Sequence, residues 1–104
     1  MITKVVNLHK EPYDIYIGRE GQGLDGTFGN PFNEGSRFEK VAKYKEYFLN
    51  KISTDKEFAE KVNALKGKHL GCFCYPLRCH GMVIVEYLEN ISIEDQMKDE
   101  ADIL

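Results

Sequence analysis

The chain has 104 residues, a net charge of −3, 42% hydrophobic and 30% charged residues, the composition of one ordinary globular domain and not of a disordered or fibrous chain. One domain of this size buries a single modest core, which excludes a two-lobed enzyme with a cleft between lobes. No apolar run approaches the ~20 residues of a bilayer-spanning helix, and the opening MITKVVNLHK lacks a signal-peptide core, so a cytoplasmic protein off the membrane is expected.

The charge is unevenly spread. From Glu86 to Leu104 there are seven acids and one base, whereas residues 1–85 carry 13 bases and 10 acids. A body this mildly basic lacks the concentrated patch of a duplex DNA binder and suits a small anionic ligand gripped by a few placed donors. The three cysteines, Cys72, Cys74 and Cys79, crowd one segment and are odd in number. Reduced thiols are expected there, not a disulfide framework.

In chain order, Thr3–Leu8 (TKVVNL) and Asp14–Ile17 (DIYI) read as short strands separated by a polar link containing Pro12. The glycine-rich Glu20–Gly35 is too long for a tight turn and too irregular for a helix, the length at which loops tend to carry function. Ser36-Arg37-Phe38-Glu39 is a capping box, followed by a helix whose apolar face runs through Phe38, Val41, Ala42, Phe48, Leu49 and Ile52. Thr54-Asp55-Lys56-Glu57 reads as a second capping box, and its helix carries Phe58, Val62 and Leu65 to a stop at Gly67. Leu70–Cys74 (LGCFC) reads as a buried strand, Gly81–Asn90 as an apolar helix, and Ser92–Asp95 as the cap of a last acidic helix. The expected fold class is α/β, a small Rossmann-like sheet covered by helices, in the order β-β-loop-α-α-β-α-α. Residues 1–91 are expected to form the single domain and 92–104 an acidic C-terminal helix or tail.

The densest chemical signal is Cys72-Phe73-Cys74-Tyr75-Pro76-Leu77-Arg78-Cys79-His80-Gly81. Read as a turn into a helix starting near His80-Gly81, it offers unpaired backbone N–H groups and partial positive charge to an anion. Gly81 would let a ligand approach the backbone, Arg78 would add a planar grip on phosphate or carboxylate, and His80 would donate or exchange a proton. Cys79 at the same helix start would be a thiol of lowered pKa. A zinc site of Cys72, Cys74, Cys79 and His80 is the weaker alternative, because structural zinc usually joins ligand pairs from separate segments. Cys72 and Cys74 also read simply as small buried hydrophobes of a strand.

A second signal is Tyr16-Ile17-Gly18-Arg19 with Phe28-Gly29-Asn30-Pro31-Phe32. Gly18-Arg19 at a strand end puts a cation where open α/β sheets bind ligands. Asn30 before Pro31 is extended, with its amide available to a base edge or ribose, and Phe28 and Phe32 could stack on a planar ring; a hydrophobic loop anchor with a turn asparagine accounts for the same residues about equally well. No cofactor motif is present: Gly18, Gly21, Gly23 and Gly26 miss the GxGxxG spacing, and there is no P-loop, HExxH or nucleophile elbow.

The blocks VVNLHKEPYDIYIGR, GNPF and GCFCYPLRCHG, with the apolar helix after them, resemble the DUF4326 family over about Val5 to Asn90. The resemblance implies a small protein of phages and bacterial genomes, with Gly18, Arg19, Gly29, Asn30, Pro31, Phe32, Cys74, Pro76, Cys79, His80 and Gly81 as signature positions. The longer GQGLDGTF with Phe28, in place of a short proline link and a tryptophan, is a departure, and the acidic tail looks like an addition. The expected function is binding of a nucleotide-derived, phosphate-bearing small molecule, in one version an ADP-ribose-like immune signal sequestered by a phage protein. The rival readings are an enzyme of N-glycosidic cleavage or transfer on nucleosides or nucleotides, using His80, Cys79 or Asp14, and a zinc-stabilised interaction module. A chain this small also invites a homo-oligomer that completes its site across the interface.

Overall fold

The β-branched pair Val5 and Val6 lies buried in β1 (Lys4–Asn7). In the computed structural model, which describes residues 2–21 and 23–97, β1 is followed by the short β2 (Ile15–Tyr16) and, after two helices, by β3 (His69–Cys72). β3 is central and pairs in parallel with both others, in the order β1-β3-β2. The register sets Val5, Leu70 and Ile15 side by side, so they share one face of the sheet. The strands are shorter than the apolar runs that mark them, although the Leu8 N–H still donates to the Cys72 carbonyl and the Ile17 N–H to the Gly71 carbonyl, both at 3.1 Å. The Asn7 amide donates to the Tyr75 carbonyl at 2.8 Å, and its Oδ1 accepts the His9 N–H at 2.9 Å.

For β1 and β2 to run parallel on either side of β3, the link over residues 8–14 has to cross the sheet. It does so at Gly71, where a Cβ would lie 2.6 Å from Tyr13 Cγ, so only glycine leaves room for the ring. Asp14 fastens the crossing: its N–H donates to the His69 carbonyl at 2.9 Å, and its carboxylate accepts the His69 N–H at 2.8 Å.

Helix α1 (Arg37–Thr54) opens on the expected capping box, with both reciprocal bonds between Ser36 and Glu39 at 3.1 Å. Its buried stripe is Val41, Tyr44 and Phe48. Phe38 and Leu49, expected inward, are 62% and 45% exposed. Tyr44, a tyrosine expected at the core or its rim, centres the face on the core and turns both outward, and the Arg78 guanidinium covers Phe38 at 4.9 Å.

The second capping box is corrected as well. The Thr54 hydroxyl donates back to the Asn50 carbonyl, leaving Asp55 to accept the Phe58 N–H at 3.1 Å and start α2 (Lys56–Asn63). That helix ends before Gly67, which instead closes the following turn in the left-handed region (φ 82°).

Helix α3 (Gly81–Glu89) is stopped by Asn90, also left-handed at φ 58°. Residues 93–97 then begin a fourth helix. Ser92 accepts the Asp95 N–H, Ile93 is buried, and the Gln96 amide donates to the Met82 carbonyl at 2.9 Å. This start of the acidic segment is docked on the body, and 98–104 lie outside the described residues.

Val5, Ile17, Leu70 and Cys72 from the strand segments join Tyr44, Phe48, Phe58, Val62, Met82 and Ile84 from the helices in one hydrophobic cluster. The result is a parallel sheet with helices packed on it, a Rossmann-like α/β arrangement. Among the described residues no helix is long and apolar enough to cross a membrane.

Candidate functional site

Gly18 and Arg19 leave the C-terminal end of β2, and Phe73 and Cys74 leave that of β3, the edge at which open parallel sheets bind ligands. The Gly-Asn-Pro-Phe segment docks on this edge. A Cβ on Gly29 would lie 2.7 Å from the Gly18 carbonyl oxygen and 3.0 Å from Arg19 Cα. Arg19 Nη2 donates to the Phe32 carbonyl at 2.7 Å. Asn30 is buried, and its Oδ1 accepts the Phe32 N–H at 2.9 Å while Nδ2 donates to the Lys40 carbonyl at 3.2 Å. The loop is thereby stapled both to the end of β2 and to α1.

These contacts enclose a cavity of about 380 Å³, at the small end of small-molecule sites. Tyr16, Gly18, Arg19, Cys72, Phe73 and Cys74 line it from the sheet, and Arg37, Lys40 and Val41 line it from α1. Asn30 joins them from the loop, with Arg78, Cys79 and His80 from the entry to α3. Among the described residues of the lining four side chains are cations and none is an acid; Arg78 Nη2 also lies 3.6 Å from the Glu94 carboxylate beside it. In apolar, partly desolvated surroundings such a set attracts anions more strongly than the same charges in water.

The remaining sequence candidates lie elsewhere. Phe28 is in the core, its ring 6.0 Å from that of Phe58 and its carbonyl accepting the Tyr44 hydroxyl at 2.9 Å. Phe32 packs edge-on to Tyr47 at 5.9 Å and faces a neighbouring groove with Lys43 and Glu46. Neither ring is among those lining the cavity. Gly81 does not admit a ligand either: a Cβ there would lie 2.5 Å from Ile17 Cδ1 and 2.9 Å from Val5 Cγ2, so its smallness lets α3 seat on the strands.

His80 is buried, its Nε2 2.6 Å from the Ile17 carbonyl and its ring edge-on to Tyr44 at 5.0 Å. A carbonyl only accepts, so Nε2 carries the proton. Burial depresses the imidazole pKa below 6.5; the Ile17 bond opposes this, and the Arg19 charge adds to it. The unfolded chain therefore takes up a proton near pH 6.5 that the folded chain refuses, so stability is intact above that value and declines as pH falls below it. Denaturant titrations at mildly acidic pH should show this slope in the native chain and a shallower one in His80→Gln. Equal slopes would mean that His80 is not held neutral.

Cys72 lies between the other two thiols and interacts with both. Cys79 sits where α3 begins, and the Cys72 hydrogen bond, then the Gly81 and Met82 amides, hold it below the usual thiol range against the effect of burial. Cys74 draws Cys72 down, but the bond to Cys79 and burial outweigh that and push Cys72 up to about 11. Arg37 lies beside Cys74. Among the described residues no group of three or more His, Cys, Asp and Glu side chains is placed to hold a metal ion. The zinc alternative of Cys72, Cys74, Cys79 and His80 therefore gains no support from the placement of these side chains. Asp14 is engaged by His69 and does not line the cavity, whereas the buried Cys79 does.

Arg37 and Lys40 escaped the reading of the sequence. Their signal was two bases at i, i+3 in the first turn of a helix, where acids are the ordinary choice because of the helix dipole.

The fold and cavity together define a class: a small α/β protein with a cationic hollow at the carboxyl edge of a parallel sheet. The model of DUF4326, a domain of unknown function, matches residues 2–90, and the chain belongs to that family. It is 29% identical over 102 residues to the uncharacterized 12.4 kDa protein in the nrdA-td intergenic region of Enterobacteria phage T4, covering 94% of this chain and 89% of that one. No solved structure matches the chain.

Proposed function

We propose that this protein binds a nucleotide-derived, phosphate-bearing small molecule in the cavity between β2, β3, α1 and the start of α3. The observation that supports this reading is the convergence of Arg19, Arg37, Lys40 and Arg78 on one hollow with no acid among the described residues that line it. Arginine suits phosphate because its planar fork donates two parallel hydrogen bonds. The role is retention: among the described residues that line the cavity there is no carboxylate to pair with His80, whose Nε2 is engaged by the Ile17 carbonyl. A cytoplasmic protein that sequesters a phosphorylated nucleotide signal would need no more than this.

Calorimetry of the full chain against nucleoside monophosphates, ADP-ribose and cyclic nucleotides tests it. Binding by one of them, lost in Arg19→Ala, is the expected result; no binding by any overturns the reading. Turnover of a bound nucleotide, abolished in Cys79→Ser, would replace retention by catalysis of the N-glycosidic kind.

A further inference from the structure

Phe73 is the first residue beyond β3, between buried Cys72 and half-buried Cys74, yet it is 50% exposed. It also lines the cationic cavity. Leaving a phenyl ring half in water forgoes most of what its burial would contribute, and nothing in the core requires it to point outward. Its ring is nonetheless flanked by two others. His9 lies tilted against it at 5.2 Å, and Tyr16 meets it edge-on at 6.1 Å. The Tyr16 ring is itself held by its hydroxyl, which donates to the Arg19 carbonyl at 2.7 Å, and the His9 backbone is tied down by its N–H, which donates to Asn7 Oδ1. The outcome is an aromatic side chain, flanked by two other rings, at the wall of a cavity that four cations also line.

We propose that Phe73, braced by His9 and Tyr16, is the stacking platform for the planar heterocycle of the ligand, with the cations of α1 and the α3 entry taking its phosphate. This deepens the nucleotide-binding reading and rests on it. A ring already flanked by two others has less freedom to lose when a base stacks on it, so the contact favours binding while accepting any base. The cavity volume of about 380 Å³, within the range of small-molecule sites, is matched to a ligand of the size of one nucleoside monophosphate.

The test uses the full chain with three probes: the best-binding nucleoside monophosphate, ribose phosphate and inorganic phosphate. Phe73→Ala should weaken the nucleotide roughly tenfold to a hundredfold, the usual range for loss of one base stack, and leave ribose phosphate unchanged. Phe73→Trp should retain nucleotide affinity. Since the chain has no tryptophan of its own, its indole fluorescence should be quenched by the nucleotide and not by ribose phosphate. If the native chain binds the nucleotide no better than ribose phosphate, or Phe73→Ala weakens both equally, the platform is refuted while the phosphate site stands. If the native chain binds none of the three, both readings fail together.

Discussion

Gly29→Ala should destabilise the chain by about 1–3 kcal/mol, the usual cost of forcing a methyl group into a filled space, and should empty the cavity of ligand at concentrations that saturate the native protein. The methyl carbon would sit 2.7 Å from the Gly18 carbonyl oxygen and 3.0 Å from Arg19 Cα. Both are backbone atoms at the end of β2, which cannot rotate aside as a side-chain tip can. The loop would have to lift, and with it would go the Arg19–Phe32 bond and the Asn30 staple to Lys40. Thermal melts and calorimetry on the same sample read the two losses. A variant of native stability and native affinity would show that the loop does not depend on this contact.

The sequence carried most of the fold because its local signals agree with one another: two β-branched runs, a Ser36–Glu39 box and an apolar helix behind His80-Gly81 all occur as their patterns dictate. It misled where two equally good local solutions competed. Thr54 and Asp55 both suit an N-cap, and the bond of Thr54 to Asn50 decided between them. Aromatic residues were harder still. Phe28 beside a signature glycine and Phe73 within an apolar strand run look alike in sequence, yet one is core and the other lines the cavity. Only the crossing of residues 8–14 and the docking of the loop separate them, and both are tertiary facts. The convergence of Arg19, Asn30 and His80 on one hollow was legible because strand ends and helix starts gather at one edge of a parallel sheet. Arg37 and Lys40 were not, since charges on an exposed helix turn usually signify nothing beyond solvation.

Those two residues offer the sharpest separation of site from scaffold. Each charge-assisted hydrogen bond to a phosphate contributes roughly 1.5–3 kcal/mol, so Arg37→Ala with Lys40→Ala should weaken nucleotide binding about a hundredfold or more. Folding should respond in the opposite direction. A base in the first turn of α1 opposes the helix dipole, and removing it gains roughly 0.3–1 kcal/mol at low ionic strength. The Lys40 carbonyl that holds Asn30 belongs to the backbone and survives the substitution. The double variant should therefore melt no earlier than the native chain while losing its ligand, and the affinity that remains should depend less on salt, with fewer charges left to screen. A structural pair would give the reverse, an earlier melt with affinity intact. That result would make the cationic lining incidental and remove the main support for a phosphate-bearing ligand.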